Sequence, residues 1–193
     1  MIGNDIVDLS EASKSNRTLD PRYLDKTFSK AEQDFILSSV NPEAGLWLLW
    51  SMKESAYKIY IGNHKKAFYA PAKFQCEVID ENKGLVKINN EVYHTYSAKT
   101  KSFIHTIARA NSTDRFLFDI TRLNNPTYEN QHRSGHTKLK SIYSVNTGKD
   151  SAYLVIRKNT AGIPQLFHKG KKTNLTFSLS HHGHYAAVAM LTG

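Results

Sequence analysis

The sequence predicts an α+β protein built on antiparallel strands. Three observations predict it. Residues 43–61 form one long apolar helical stretch, the period of the pattern falls to two from Lys73 onward, and turn signals separate the period-two segments. The 193 residues suit one moderate domain or two small, tightly packed halves, with enough chain to bury a core. An apolar share of 40% against 22% charged excludes a disordered chain.

The elements follow in chain order. IGNDIVDL (2–9) reads as a strand ending in acidic residues, and 10–20 as a polar loop. Ser29 caps a helix in FSKAEQDFILSS, with Glu32 three residues on as the partner of a capping box. Asn41-Pro42 stops that helix and opens the next. On a wheel of 100° per residue, Leu48, Met52, Ala56 and Ile59 of the long helix form one apolar stripe. Leu46, Leu49, Trp50 and Tyr57 form a second flank. Glu54 and Lys58, at i and i+4, share the remaining face with Ser51 and Trp47, and Lys53 lies about 100° from Glu54. A helix this apolar is largely buried, so its few charges need partners.

FQCEVID, GLVKIN, EVYHTYSA and SFIHTIARA read as a meander, with turns at Asn82-Lys83-Gly84 and Asn89-Asn90. Residues 111–137 are the least patterned and read as a connector. Then come SAYLVIRK, a turn at Ala161-Gly162-Ile163-Pro164, QLFH, LTFSLS, a turn at His181–His184, and YAAVAML. FIHTIARA and YAAVAMLTG close two strand-rich stretches alike, which hints at a degenerate internal duplication.

Composition narrows the function classes. No apolar run reaches the roughly 18 residues that span a bilayer, and MIGNDIVDL lacks a secretory pattern, so no membrane association is expected. The single cysteine, Cys76, excludes an internal disulfide and a Cys-based zinc site. It is expected to pack in a strand, in a protein of the reducing cytoplasm. The net charge of +9 favours a polyanionic partner. The basic residues are spread out, the longest runs being the pairs Lys65-Lys66 and Lys171-Lys172, unlike a nucleic-acid arm.

Three constellations can carry chemistry. Asp5, with Asp8 behind it, stands near the end of a strand, where a carboxylate reaches a site beyond the sheet edge; a cap or a surface ion pair is the plain alternative. Lys53, Glu54 and Lys58 suit a metal-bound polyphosphate, the carboxylate holding a hard cation and the lysines neutralising phosphate oxygens. The plain alternative is an ordinary Glu54–Lys58 helix pair. Ser178 to His184 carries three histidines in four residues. Adjacent histidines rarely converge on one ion, and a turn of N–H groups, hydroxyls and imidazole suits a phosphate better than a tetrahedral zinc.

These segments together resemble the phosphopantetheinyl transferase superfamily. Gly3-Asn4-Asp5-Ile6-Val7-Asp8-Leu9 is similar to its first signature, and Phe28-Ser29-Lys30-Ala31-Glu32 to its FS-x-x-E segment. Trp50 to Lys58 resembles W-x-x-K-E-x-x-x-K. Phe177 to Tyr185 is similar to the SHS-like segment, preceded by a glycine-x-proline turn at Gly162-Ile163-Pro164. The SHS-like segment comes last, as in the small trimeric holo-acyl-carrier-protein synthases, but this chain is longer. The resemblance therefore implies a pseudo-dimer of two similar halves, each a small antiparallel sheet packed against a long helix. Residues 1–110 would be the metal- and phosphate-binding half. Residues 111–193 would carry the Ser-His turn, with the site between halves, in a monomer or a homo-oligomer.

The resemblance implies a transfer of 4'-phosphopantetheine from coenzyme A to a serine of an acyl- or peptidyl-carrier protein, releasing 3',5'-ADP. Asp5 and Glu54 would bind Mg²⁺, and Val7 stands where the larger type has a further acidic ligand. Lys53 and Lys58 would hold phosphate oxygens, with Ser180 and His181 facing them from the other half. Glu54 or a metal-bound water would take the serine proton, so Glu54, Lys53 and Lys58 are the catalytic candidates. Carrier proteins of this class are acidic, which suits the +9 charge. Two other readings stand beside it: a catalytically altered member that binds coenzyme A, and a basic nucleic-acid-binding module using Tyr93, Tyr96 and Phe103. The latter leaves Asp5, Lys53, Glu54 and Lys58 without a role.

Overall fold

A computed structural model describes residues 1–15, 20–64, 70–160 and 162–192. Expectations for 16–19, Lys65-Lys66 and Ala161 lie outside the described residues.

Strand β1 (Ile2–Asp8) alternates between two apolar layers. Val7 joins a cluster with the helices, whereas Ile2 and Ile6 join clusters on the opposite face. Asp8 ends the strand by accepting from the Ser10 N–H, which caps helix α1 (Leu9–Ala12). Residues 10–20 are thus not simply loop. Another short helix, α2 (Pro21–Thr27), is set by Asp20 as cap and Pro21 in the first turn. The capping box forms as expected: Ser29 Oγ accepts from the Glu32 N–H at 3.3 Å, Glu32 Oε2 accepts from the Ser29 N–H at 2.7 Å, and α3 (Lys30–Ser38) follows.

Helix α4 (Pro42–His64) buries most of its first five turns, the expected Leu48, Met52, Ala56 and Ile59 among them. It packs on a five-stranded antiparallel sheet ordered β1-β5-β4-β3-β2. The meander strands are β2 (Gln75–Val78), β3 (Lys83–Ile88), β4 (Glu91–Lys99) and β5 (Phe103–Arg109). Asn89 takes the left-handed conformation at the β3–β4 turn. Cys76 is the packing residue expected; burial pushes its thiol pKa well up, which keeps it unreactive.

The expected connector at 111–137 is overturned. It contains strand β6 (Arg115–Arg122) and the start of helix α5 (Tyr128–Thr147). Helix α5 buries Gln131, Gly135, Leu139 and Tyr143, one per turn. Only the last two are large and apolar, so the helix shows little periodicity. A small sheet follows, made of β7 (Leu154–Lys158), β8 (Pro164–His168) and β9 (Lys171–Lys172). The chain then forms the hairpin β10 (Phe177–His182) and β11 (Tyr185–Thr192). Its turn is Gly183-His184 alone, because His181 and His182 remain in β10. Strands β10, β11 and β6 make a second antiparallel sheet.

The two larger sheets pack face to face, with α4 outside one and α5 outside the other. Ile2, Ile107, Ala189, Ile6, Tyr185 and Ala187 fill the space between the sheets. Val188 and Met190, on the other face of β11, meet Leu139 and Tyr143 of α5. One order of elements occurs twice: a strand, a long helix, then antiparallel strands whose last member returns to pair with the first. Among the described residues, no helix is long and apolar enough to cross a membrane.

Candidate active site

Strand β1 lies at the edge of its sheet and beneath α4, which brings motifs far apart in sequence together. Gly3 permits this approach. A Cβ there would meet the Ser55 carbonyl oxygen at 2.0 Å. The Ser51 hydroxyl donates to the Asp5 carbonyl at 3.3 Å, and the Lys58 ammonium donates to the Asn4 carbonyl at 2.5 Å. Lys58 Nζ also stands 3.5 Å from Asp5 Oδ1.

Asp5 and Glu54 share this corner. Burial raises the Asp5 pKa, against the opposing effects of Lys58 and Ser51. Burial also raises that of Glu54, the Asp5 charge adds to it, and Lys58 works against both. Two neighbouring carboxylates whose ionised forms are disfavoured present an acceptor-only, hard-oxygen pair that a small divalent cation would satisfy. Among the described residues, no group of three or more His, Cys, Asp or Glu side chains is placed to hold a metal ion, so Asp5 and Glu54 would be its two protein donors here.

The β10–β11 hairpin closes the corner from the other sheet. Asp5, Val7, Trp47 and Trp50 line one cleft of about 270 Å³ with His181 and His182. Burial lowers the pKa of His181, and the nearby Lys58 charge lowers it further. The hairpin is held in place by Asp8. Asp8 Oδ2 accepts from the His184 N–H at 2.8 Å, while the Asp8 N–H donates to His182 Nδ1 at 3.0 Å. Burial acts to raise the Asp8 pKa, but bonds from Ser10, His184 and Glu11 outweigh it and hold the carboxyl low. Gly183 sits at φ 51°, and a Cβ there would meet Asp8 Oδ2 at 2.4 Å. Asp8, the last residue of β1, stands two residues before Ser10 and acts as the cap that the sequence offers as the plain alternative for this acidic strand end.

Lys53 requires a correction. It is 2% exposed and points away from Asp5, on another side of α4. Its ammonium lies 2.8 Å from Glu32 Oε1 and donates to the Pro71 and Phe74 carbonyls. The roughly 100° between successive helix residues sends Lys53 and Glu54 to different environments. Glu32 also accepts from the Cys76 N–H at 2.7 Å, so one carboxylate ties α3, α4 and β2 together.

Ser180 lies on β10 beside His181. Its hydroxyl is buried and has no hydrogen-bond partner among the described residues, while its neighbour Ser178 accepts from the Asn4 N–H at 3.0 Å. Together, Ser178 and His182 cover the β1 edge with side chains in place of a sixth strand. Asp5, Glu54, Lys58 and His181 are therefore brought together, whereas Lys53 is not.

A larger cleft of about 480 Å³ runs from Lys58 along Ile61 and Gly62 to the Gly162-Ile163-Pro164 turn and Lys172. No curated protein matches the chain. The family model of the 4'-phosphopantetheinyl transferase superfamily matches residues 1–111, which contain Asp5, Glu54 and Lys58. With more than half of its length matched, the chain belongs to the 4'-phosphopantetheinyl transferase superfamily.

Proposed function

We propose that this protein transfers 4'-phosphopantetheine from coenzyme A to a serine of an acyl- or peptidyl-carrier protein, releasing 3',5'-ADP. The observation that carries the reading is the meeting of Asp5, Glu54 and Lys58 with His181 of the opposite sheet. Residues 1–110 then act as the half that holds cation and phosphate. Residues 111–193 act as the half that presents the histidine, so one chain completes the site.

The nucleotide portion lies in the larger cleft, between the Gly162–Pro164 turn and Lys58. Lys58 borders that cleft and contacts Asp5, so it holds the pyrophosphate where the two clefts meet. Asp5 and Glu54 would hold Mg²⁺, which supplies charge neutralisation to the pyrophosphate when bound. His181 donates to a phosphate oxygen from the far wall. The serine oxygen forms its bond to the β-phosphorus as the bond from that phosphorus to the bridging oxygen breaks. The serine proton passes to Glu54 or to water beside it, and the charge on the leaving 3',5'-ADP is met by Lys58. Lys53 is removed from the phosphate-binding set. The net charge of +9 draws in an acidic carrier protein.

Intact-mass analysis of apo carrier proteins incubated with this protein, coenzyme A and Mg²⁺ tests the reading. The expected result is a gain of one phosphopantetheine, reduced at least 100-fold in rate by Asp5→Ala or Glu54→Ala. The reading fails if no acidic carrier protein gains mass and coenzyme A does not bind.

A further inference from the structure

The repeated order of elements can be followed residue by residue. Asp5 lies opposite Thr106 in the β1–β5 ladder, and Asp119 lies opposite Val188 in the β6–β11 ladder. Carrying both registers along sets Phe103 against Tyr185 as equivalents, and these two rings touch each other at 5.1 Å, as residues beside a twofold axis do. The helices follow the same relation. Lys58 of α4 stands 3.5 Å from Asp5, and Lys138 of α5 stands 3.4 Å from Asp119. With those lysines as equivalents, buried Ser51, Ser55 and Ile59 correspond to buried Gln131, Gly135 and Leu139. The position four residues before the lysine is Glu54 in α4 and Ser134 in α5.

The cavities obey the relation as well. The first cleft is lined by Val7, Glu11 and Trp50, and a second, of about 580 Å³, by their counterparts Thr121, Asn125 and Asn130, together with Ser134 and Lys138. This second cleft has no part in the reaction described above.

We propose that the Asp119–Lys138 corner is a second copy of the Asp5–Lys58 corner, one carboxylate short of a divalent-cation site, and that a glutamate at position 134 completes it. The inference rests on Asp5 and Glu54 being the cation pair of the first corner. There the second carboxylate is set four residues before the lysine, on the same helix face, and both Glu54 and Ser134 are half-buried. Asp119 is paired with Lys138 at 3.4 Å, which leaves no net negative charge there for a cation. A second carboxylate restores a net negative charge and a second hard oxygen donor. The folded chain therefore takes one hard divalent cation, and the asymmetry between its halves comes down to that one side chain.

Counting bound Mn²⁺ by electron paramagnetic resonance tests this, on the full chain with native melting behaviour verified for each variant. One ion per chain is expected for the wild type and for Ser134→Gln. Two are expected for Ser134→Glu, and one again when Asp119→Asn is added to it. Transfer activity is unchanged in all of them, because Ser134 and Asp119 lie outside the reacting cleft. A folded Ser134→Glu protein that binds no more Mn²⁺ than the wild type overturns the proposal. A wild type that binds no Mn²⁺ sinks the proposed function and, with it, the cation pair on which this inference rests, whereas one ion in the wild type with none gained by Ser134→Glu sinks this inference alone.

Discussion

Burying an ammonium costs several kcal/mol unless an anion and acceptors surround it, and Lys53 has Glu32 and two carbonyls. Lys58, five residues on, keeps its head partly exposed beside Asp5, free to meet a phosphate. Lys53→Met should therefore destabilise the fold by about 3–5 kcal/mol by stranding the Glu32 carboxylate, and adding Glu32→Gln should recover much of the loss. Chemical denaturation of the two variants checks this; a Lys53→Met protein of full stability but weakened coenzyme A binding would return Lys53 to the site. His105 makes a second residue-scale case. It is fully buried between the sheets, where its Nε2 lies 3.2 Å from Asn4 Nδ2. Burial, then the Lys58 charge, pushes its pKa down to about 3 from 6.5. A histidine with a lowered folded-state pKa binds its proton more readily when unfolded. Its contribution is thus complete above pH 6.5 and is lost as pH falls from there toward 3. Urea denaturation at pH 7 and pH 5 should show wild type losing on the order of 1 kcal/mol per pH unit more than His105→Gln.

The β10–β11 hairpin shows how an element is aimed. Its turn has two residues, its first residue takes a positive φ, and the Asp8 carboxylate fills the space where a side chain would sit. Gly183→Ala should cost about 1–3 kcal/mol and displace Asp8 from the His184 N–H. The expected result is a lower melting temperature and a transfer rate that falls further than the folded fraction does. Equal falls in both would mean that the hairpin does not aim His181. The same scale explains what could be read beforehand. Helix α4 was legible because its apolar residues recur at helical spacing, and α3 because Ser29 and Glu32 write out a capping box. Helix α5 was not, since Gln131 and Gly135 occupy buried turns that a sequence pattern scores as polar or breaking. The roles proposed for Asp5, Glu54, Lys58 and His181 come from the family resemblance of the motifs that carry them. The fate of Lys53 was not legible, because α3 and the chain at Pro71–Phe74 supply its partners, and nothing in α4 announces them.

At the scale of the molecule, two sheets bury Ile2, Ile6 and Ile107 between them, and β10 covers the open edge of β1. The covering strand β10 follows β1 to β5 in the chain, and this imposes an order on biosynthesis. A ribosome releases all of β1 to β5 long before residue 177 leaves the exit tunnel. During that interval the first sheet can form with one apolar face wet and one strand edge unpaired, the state in which chains pair with their neighbours. A fragment ending at residue 110 should accordingly elute from a sizing column as dimers or larger species, and adding Lys substitutions at Ile2 and Ile6 should return it to monomer. A monomeric native-sequence fragment would show that the exposed face is harmless. The closing hairpin, emerging after the first sheet, thus seals the face and the edge that the earlier strands leave open.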